Sequence, residues 1–419
     1  MKRVVVIGGG YSGMGAAHEL LKHEYRVTVI EKNPVLGGLA SSFEQDKKQF
    51  PLGYHHILQG EQTLLGIIKE LGLEGKLAWK PIKMLFHMGK LYDLQNPLTL
   101  LKLPLSFRAK VRFALFMIRC FLTKDWSALE GTAANEWLLK KAGKEVKEKI
   151  FDRLIDIKFG MDSSKVSAAW LGARLAKREG SSKFGCMPGR DWTREVIVAL
   201  DKSVRAKGGR VVCDQGVKEI LVKGDAIEGV MLENGEVIDA DIVVSTVPTP
   251  IFFKLLPSYK DEVLERISYI HTVSCLVGTQ QRLPDFYWAV AVQPRMSMSG
   301  VFNLTNLNPT LANGETVVNF FTHLQPENPF FKENDATILK RYKEDFKTMF
   351  GFELQESWVR INRIRYTSPS FVKGYKNPAI KGNIEGLYFA GNYRTYPHIT
   401  STNMALASGI ETAQVIVNG

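Results

Sequence analysis

Four cysteines in 419 residues, none in a CxxC pair and none beside a histidine cluster, leave little from which to build a disulfide framework or a metal centre. Cys120, Cys186, Cys213 and Cys275 read as reduced, structural thiols, and no metal site is expected. No apolar run approaches the roughly eighteen residues of a membrane-spanning helix, and the first strand-like run starts at Val4, too early for a signal peptide. The expectation is a cytoplasmic chain that does not cross the bilayer. Internal repeats and low-complexity tracts are also missing, which leaves ordinary globular domains. The net charge of +12 comes from basic residues scattered among acids, not from arginine and aromatic platforms, so nucleic acid is not expected as a partner. An anionic membrane surface or an acidic substrate suits that charge better.

What is present begins in the first forty residues. At 45% hydrophobic and 23% charged, the chain can bury large cores and divide into two or more domains. Val4 to Ile7 is a buried-strand run, followed by Gly8, Gly10 and Gly13 and an apolar helical pattern from Met14 to Leu21. Gly8 turns the chain out of the strand, Gly10 removes a Cβ from the path of a pyrophosphate, and Gly13 lets the helix pack on the sheet. A phosphate then rests on free N–H groups at a helix N-terminus. Glu31 ends a second strand run, Arg26 to Glu31, eighteen residues after Gly13 and near the spacing of ~20 for an acid that accepts ribose hydroxyls. Together they make a site for the ADP half of a dinucleotide.

Further along, Arg210 to Cys213 reads as a short strand, and Val217 to Lys223, Ala226 to Glu233 and Glu236 to Ala240 read as an antiparallel meander. Gly224-Asp225 and Asn234-Gly235 supply its hairpin turns. Asp241 to Thr246 is a strand of parallel type, and Gly386 to Asn392 is another, leading into a helix from Thr400 to Val417. Residues 61 to 185 read as mostly helical, with helices at 137–142, 147–158 and 168–179 stopped by Gly143, Gly160 and Gly180. Residues 270 to 325 alternate, as in Thr316 to Leu324, which predicts strands with one face on a core and the other on a cavity.

These motifs resemble, in order and over nearly the whole chain, the FAD-dependent amine oxidase, protoporphyrinogen oxidase and phytoene desaturase family. The match is carried by Gly8 to Gly13, Glu31 to Ser41 with its Gly37-Gly38 pair, Asp241 to Pro248, Leu387 to Asn392, and Thr400 to Gly409. It implies an α/β fold: a Rossmann-like, glutathione-reductase-type FAD domain from discontinuous segments 1–75, 190–250 and 383–419. An α+β substrate domain with a helical part would then occupy 76–189 and 251–382. The cofactor implied is FAD, held without a covalent bond, since no cysteine lies near the C-terminal motif.

By the same resemblance Gly8, Gly10, Tyr11, Ser12 and Gly13 form the phosphate turn, and Glu31 with Lys32 lies at the adenosine ribose. Gly38, Leu39, Ala40 and Ser41 pass the diphosphate and flavin, Val217 offers its backbone to adenine, and Thr246, Gly391 and Asn392 border the ribityl arm. Thr402, Asn403 and Met404 open the last helix toward the flavin pyrimidine, where a helix N-terminus stabilises negative charge. Relatives often carry an arginine where this chain has Leu39, and a Gly-Gly where it has Met187-Pro-Gly189-Arg190. No lysine matches the one that amine oxidases hold near flavin N5.

Candidate chemistry rests on Gly53-Tyr54-His55-His56, where by the resemblance Gly53, Tyr54 and His55 approach the flavin and one histidine would orient substrate or move a proton near neutral pH, and on Arg394, Tyr396 and His398 before the final helix. A structural histidine and a capping loop are the alternatives. Phe286-Tyr287-Trp288, Phe320 and Phe321 read as core rather than cavity lining. The resulting expectation is a FAD-dependent oxidoreductase that dehydrogenates or desaturates an apolar, isoprenoid or polycyclic substrate by hydride transfer to N5. The electron acceptor is left open, as are a non-redox mutase like UDP-galactopyranose mutase, an amine oxidase and a non-catalytic cofactor-binding protein. In residues 98–124, Arg108, Lys110, Arg112, Arg119 and Lys124 stand among apolar side chains and are unopposed by any acid. They predict a helix that lies peripherally on a membrane or covers the substrate core.

Overall fold

The computed structural model describes residues 1–93, 96, 98–176 and 183–419. Strand Lys2–Ile7 lies at the middle of a five-stranded parallel sheet, and its neighbours come from distant parts of the chain. Tyr25–Ile30 and then Arg210–Val212 pair on one side, Ile242–Ser245 and then Leu387–Phe389 on the other. Only three to six residues long and valine-rich, these strands are buried on both faces, as parallel strands covered by helices must be. Helix Tyr11–Leu20 covers one face together with Thr402–Asn418 and Trp192–Ala206. The meander runs as expected through Val217–Lys223, Ala226–Leu232 and Val237–Asp239.

A second, seven-stranded sheet stands opposite the mouth of the first. Its order is Trp358–Pro369, Tyr269–Thr279, Thr316–Leu324, Gly300–Asn303, Trp288–Gln293, Met84–Met88 and Leu91–Asp93. The last two strands correct the helical reading of 61 to 185, as do Ala78–Pro81 and Lys183–Cys186. Met84–Met88 pairs in parallel with Trp288–Gln293, some two hundred residues away, and a partner that remote leaves no local signature. The helical layer otherwise holds: Ala134–Lys141, then Asp152–Phe159 preceded by a wider turn, and Ala168–Ala176, whose predicted end at Gly180 lies outside the described residues. All four cysteines are free, and three are buried.

The last helix and the first pack so closely that a Cβ on Gly409 would come within 2.0 Å of the Ser12 carbonyl oxygen. That contact fixes both helix N-termini against one cleft.

Candidate functional site

The cleft opens at the carboxyl end of strand Lys2–Ile7, where open parallel sheets place their ligands. It encloses about 500 Å³. Gly8 takes φ +109°, a value side chains resist, to leave the strand, and a Cβ on Gly13 would stand 1.9 Å from the Gly8 carbonyl oxygen. Both glycines are therefore structural necessities of the turn. Gly10 differs, since a Cβ there would meet nothing nearer than the Gly38 Cα at 3.8 Å, and its space is the cleft itself. Gly10 pairs with Gly37 in an isolated bridge, so the phosphate turn and the Gly37-Gly38 turn face each other.

Glu31 is buried at the cleft with both oxygens placed. Oε2 accepts from the Gly9 N–H at 2.7 Å, and Oε1 accepts from the Asn33 N–H at 2.9 Å and its amide at 2.8 Å. Held in this way, the carboxylate has unshared lone pairs to offer ribose hydroxyls. Glu31→Arg should weaken FAD binding by at least tenfold through loss of that acceptor, measured by titrating apoprotein with FAD; unchanged affinity would remove Glu31 from the site.

Ser12 Oγ and Asn392 Oδ1 are buried on the cleft wall without a hydrogen-bond partner. Buried polar atoms are otherwise almost always satisfied, so these two mark where a polar ligand completes the structure. FAD, with its phosphates and hydroxyls, fits that requirement. Thr246 Oγ1 donates to the Ile7 carbonyl at 2.8 Å, and Thr246, Gly391, Gly38, Leu39 and Ala40 line the cleft as the sequence implies. Ser401 caps the last helix by accepting from the Met404 N–H at 3.2 Å, leaving Thr402 at the wall.

Several expected contacts are not on that wall. Lys32 is exposed and paired with Glu233 at 2.9 Å, and Val217 is buried in the meander opposite Leu232. Asn403 accepts from the Leu64 N–H at 2.9 Å, so its side chain ties two helices together, and Met404 and Ser41 also lie off the cleft, as does Gly13 beneath it. Arg394 folds under the final helix, donating to the Pro378 carbonyl at 3.0 Å and facing Glu411 at 3.5 Å. Tyr396 is buried with its hydroxyl 2.7 Å from Ser167 Oγ. Neither reaches the cleft or the cavity beside it, and both lose the catalytic role given them above. A tight turn at Asn392–Arg394 aims this loop back into the protein.

The seven-stranded sheet closes the cleft with residues that the sequence reading missed. Thr272 and Ser274 alternate along one strand, and Asn319, Phe321 and His323 along its neighbour, all facing the cleft. The signal was the two-residue alternation of Thr316 to Leu324, whose other face, Val318 and Phe320, is core as expected. Phe321 belongs to the buried core and also borders the cavity, Trp288 packs against that core and lines the cavity, and Phe286 and Tyr287 are fully buried.

Beside the cleft lies a second cavity of about 870 Å³. Tyr54, His55, Lys158, Phe321, His323 and Thr402 border both spaces, so this wall is where a flavin ring and a substrate would meet. His56 borders only the outer cavity, stacked on Phe184 with ring centroids 4.4 Å apart. Burial pushes His55 down to about 4 and His56, with Arg174 adding repulsion, down to about 3. Both are neutral at pH 7, so either can accept a hydrogen bond or a proton, but neither stands as a ready acid. The unfolded chain takes up these protons near pH 6.5 and the native one does not. The contribution of each histidine to stability should therefore fall as pH drops from 6.5 toward 4, by up to about 1.4 kcal/mol per pH unit. Asp191 and Asp345, raised to about 6 by burial, act in the opposite sense, so the histidine share is read as the difference from the His55→Asn, His56→Asn double variant. Urea melts of both proteins across that range check it.

A parallel sheet whose glycine turn, acid and helix N-terminus converge on one cleft, opening into a second cavity, defines a dinucleotide-binding fold. The family model for flavin-containing amine oxidoreductases matches residues 11–417, and the chain belongs to that family as an FAD-dependent oxidoreductase. The 15-cis-phytoene desaturase of Solanum lycopersicum is 22% identical over 458 residues, covering 99% of this chain and 77% of that protein. Among solved structures, an oxidoreductase from Methanosarcina mazei superposes with a TM-score of 0.78 at 17% identity, covering 100% of both chains. Reduced UDP-galactopyranose mutase superposes with 0.78 at 16% identity, over 100% of this chain and 94% of that one.

Proposed function

We propose that this enzyme dehydrogenates a largely apolar substrate: hydride leaves one carbon for the flavin, and the proton of the neighbouring carbon is taken up by the neutral imidazole of His55 at the shared wall. The observation that carries the reading is the outer cavity, whose wall is mostly apolar: Phe86, Phe113, Met117, Phe151, Leu154, Trp170 and others like them. A volume of about 870 Å³ lies at the upper end of small-molecule sites, large enough for an isoprenoid chain or a polycycle. FAD supplies a hydride acceptor at N5. Tyr54, Phe321 and Thr402 hold the reacting bond at the shared wall, and the apolar lining keeps water away from it.

Two cations on the cavity, Lys158 and Arg174, disfavour the amine-oxidase alternative, because a protonated amine would be repelled where it must react. The mutase alternative needs a cationic clamp and a polar bed for a sugar diphosphate; Lys158 and Arg174 suit the first, and the mostly apolar lining is poorly matched to the second. Anaerobic mixing separates the three readings. An isoprenoid or polycyclic hydrocarbon in detergent should bleach the flavin, primary amines should not, and UDP-galactopyranose with dithionite-reduced enzyme should give no isomer. Bleaching by amines alone would overturn the proposal.

The route into the cavity is proposed to run through lipid. Helix Phe107–Leu122 puts Ala109, Phe116 and Cys120 into the core and Phe113, Met117 and Phe121 onto the cavity, yet Phe107, Val111, Leu115, Ile118 and Leu122 remain exposed. A helix with apolar side chains on an outward stripe as well as on its inner face needs an apolar neighbour on the outer side too. Among the described residues no helix is long and apolar enough to cross a membrane, and a helix lying in the interface meets the need.

A further inference from the structure

We infer that Arg365 is the counter-ion of the FAD pyrophosphate, a cation that the seven-stranded sheet supplies to a glycine turn belonging to the parallel one, so that both sheets hold the cofactor. Arg365 acts on the cofactor, and its role does not depend on which substrate fills the outer cavity. Strand Trp358–Pro369 carries three arginines, and two are engaged elsewhere. Arg360 lies over the Phe43 ring at 4.2 Å, and Arg363 donates to the Phe331 carbonyl at 3.1 Å and pairs with Asp335 at 2.7 Å. Arg365 is exposed, borders the flavin cleft, and has no hydrogen bond or ion pair among the described residues.

Its place at the cleft comes from a break in the strand. Thr272 pairs with Ile364 and Ile270 with Ser368, so Arg365, Tyr366 and Thr367 together stand opposite His271. Tyr366 takes φ +55°, a left-handed value that a tyrosine adopts only under constraint. In a regular strand only alternate residues face one side, and Arg365 would share the face of Arg363. Here residues 364 to 369 all border the cleft. Bulges that re-aim side chains in this way are concentrated beside functional sites.

The neighbours of the bulge place it over the phosphate half of the cleft. Tyr366 packs edge-on against Tyr269, with ring centroids 5.6 Å apart, and the Tyr269 hydroxyl accepts from the Thr249 N–H at 3.1 Å. Thr249 follows strand Ile242–Ser245, which flanks Lys2–Ile7 on the side away from Tyr25–Ile30 and the ribose acceptor Glu31. A cation is wanted there. The glycine turn offers a doubly charged pyrophosphate only N–H groups and roughly half a positive charge from the helix N-terminus. Of the charged side chains that border the cleft, Glu31 is an acid and Lys158 stands at the wall shared with the outer cavity, whereas Arg365 borders the cleft alone. A guanidinium also presents paired N–H donors that match two phosphate oxygens.

The test titrates apoprotein with FAD and with riboflavin, which has no phosphate, and reads the quenching of flavin fluorescence at low and high salt. Arg365→Met should weaken FAD binding at least about tenfold in low salt, the worth of one charge-assisted hydrogen bond. The variant should bind riboflavin, or fail to bind it, as the wild type does. Wild-type affinity for FAD should fall as salt rises, and that of Arg365→Met should change less, because the screened charge is gone. Arg365→Lys keeps the charge and should keep the salt dependence. Since no bond ties Arg365 to the fold, apoprotein melts of all three proteins should coincide. Should Arg365→Met melt lower, the wild type decides alone, and an FAD affinity that salt leaves unchanged overturns the inference. Arg365→Met binding FAD as the wild type does overturns it too, and so does equal weakening for both flavins, which marks a structural role.

Discussion

Gly10→Val should give a folded protein that is colourless and cannot be reconstituted with FAD. The backbone at Gly10 is extended, with φ −75° and ψ 178°, which valine adopts without strain, and a Cβ there stands in open cleft, 3.8 Å from the Gly38 Cα. The fold therefore has no objection to the substitution. The cofactor does, because the added methyl groups fill the space between the two glycine turns where the pyrophosphate must lie. Gly13→Val is the contrasting change, since its Cβ would press on the Gly8 carbonyl oxygen at 1.9 Å and push the first helix off the sheet. One variant should lose only FAD; the other should lose the domain. Thermal melts separate them. Wild-type stability should rise by about 4 kcal/mol with FAD at a thousand times its Kd, Gly10→Val should melt like apoprotein at every FAD concentration, and Gly13→Val should melt far lower or not refold. A yellow Gly10→Val protein would remove the glycine turn from the cofactor site.

The contrast between those glycines shows what a sequence can report. Gly8, Gly10 and Gly13 share one motif, and their spacing was enough to place strand, turn and helix, because each depends on neighbours within a few residues. The meander was legible for the same reason, since Asn234-Gly235 and Gly224-Asp225 are turns that any hairpin would use. Direction was harder. Arg394 and Tyr396 sit close in sequence to Asn392, which borders the cleft, yet a single tight turn sends one under the last helix and the other to Ser167. Lys158 and Arg174 gave no signal, because a cation at a helical position reads as solvated until the opposing layer is known. The strand Met84–Met88 is hidden likewise by its remote partner at Trp288–Gln293. Local chemistry was readable; which way a side chain faces across a tertiary boundary was not.

The largest surface effect is expected at helix Phe107–Leu122. Eight of the thirteen large apolar side chains exposed among the described residues lie between Leu98 and Leu122, with Phe107 at 79% and Leu122 at 77%. An apolar concentration of that kind marks a contact surface. The cations decide its partner: Lys102, Arg108 and Arg119 are exposed beside the stripe, and no acid lies between residues 98 and 124 to neutralise them. An anionic bilayer offers acyl chains for the stripe and phosphates for the heads, with each basic residue contributing about 1 kcal/mol at the surface. Arg112 is the poorer choice for mutation, since its guanidinium donates to the Lys140 carbonyl at 3.3 Å and supports the fold. Arg108→Glu with Arg119→Glu removes two surface charges and adds two repulsive ones, so affinity for phosphatidylglycerol vesicles should fall by at least about thirtyfold. Wild-type protein should sediment with those vesicles in low salt and less in high salt, since screening weakens only the electrostatic share. Leu115→Ser with Ile118→Ser should weaken binding at both salt concentrations, because it removes buried apolar area that salt does not screen. Wild-type protein left entirely in the supernatant at low salt would defeat the lipid route and leave the cavity with an entrance from water.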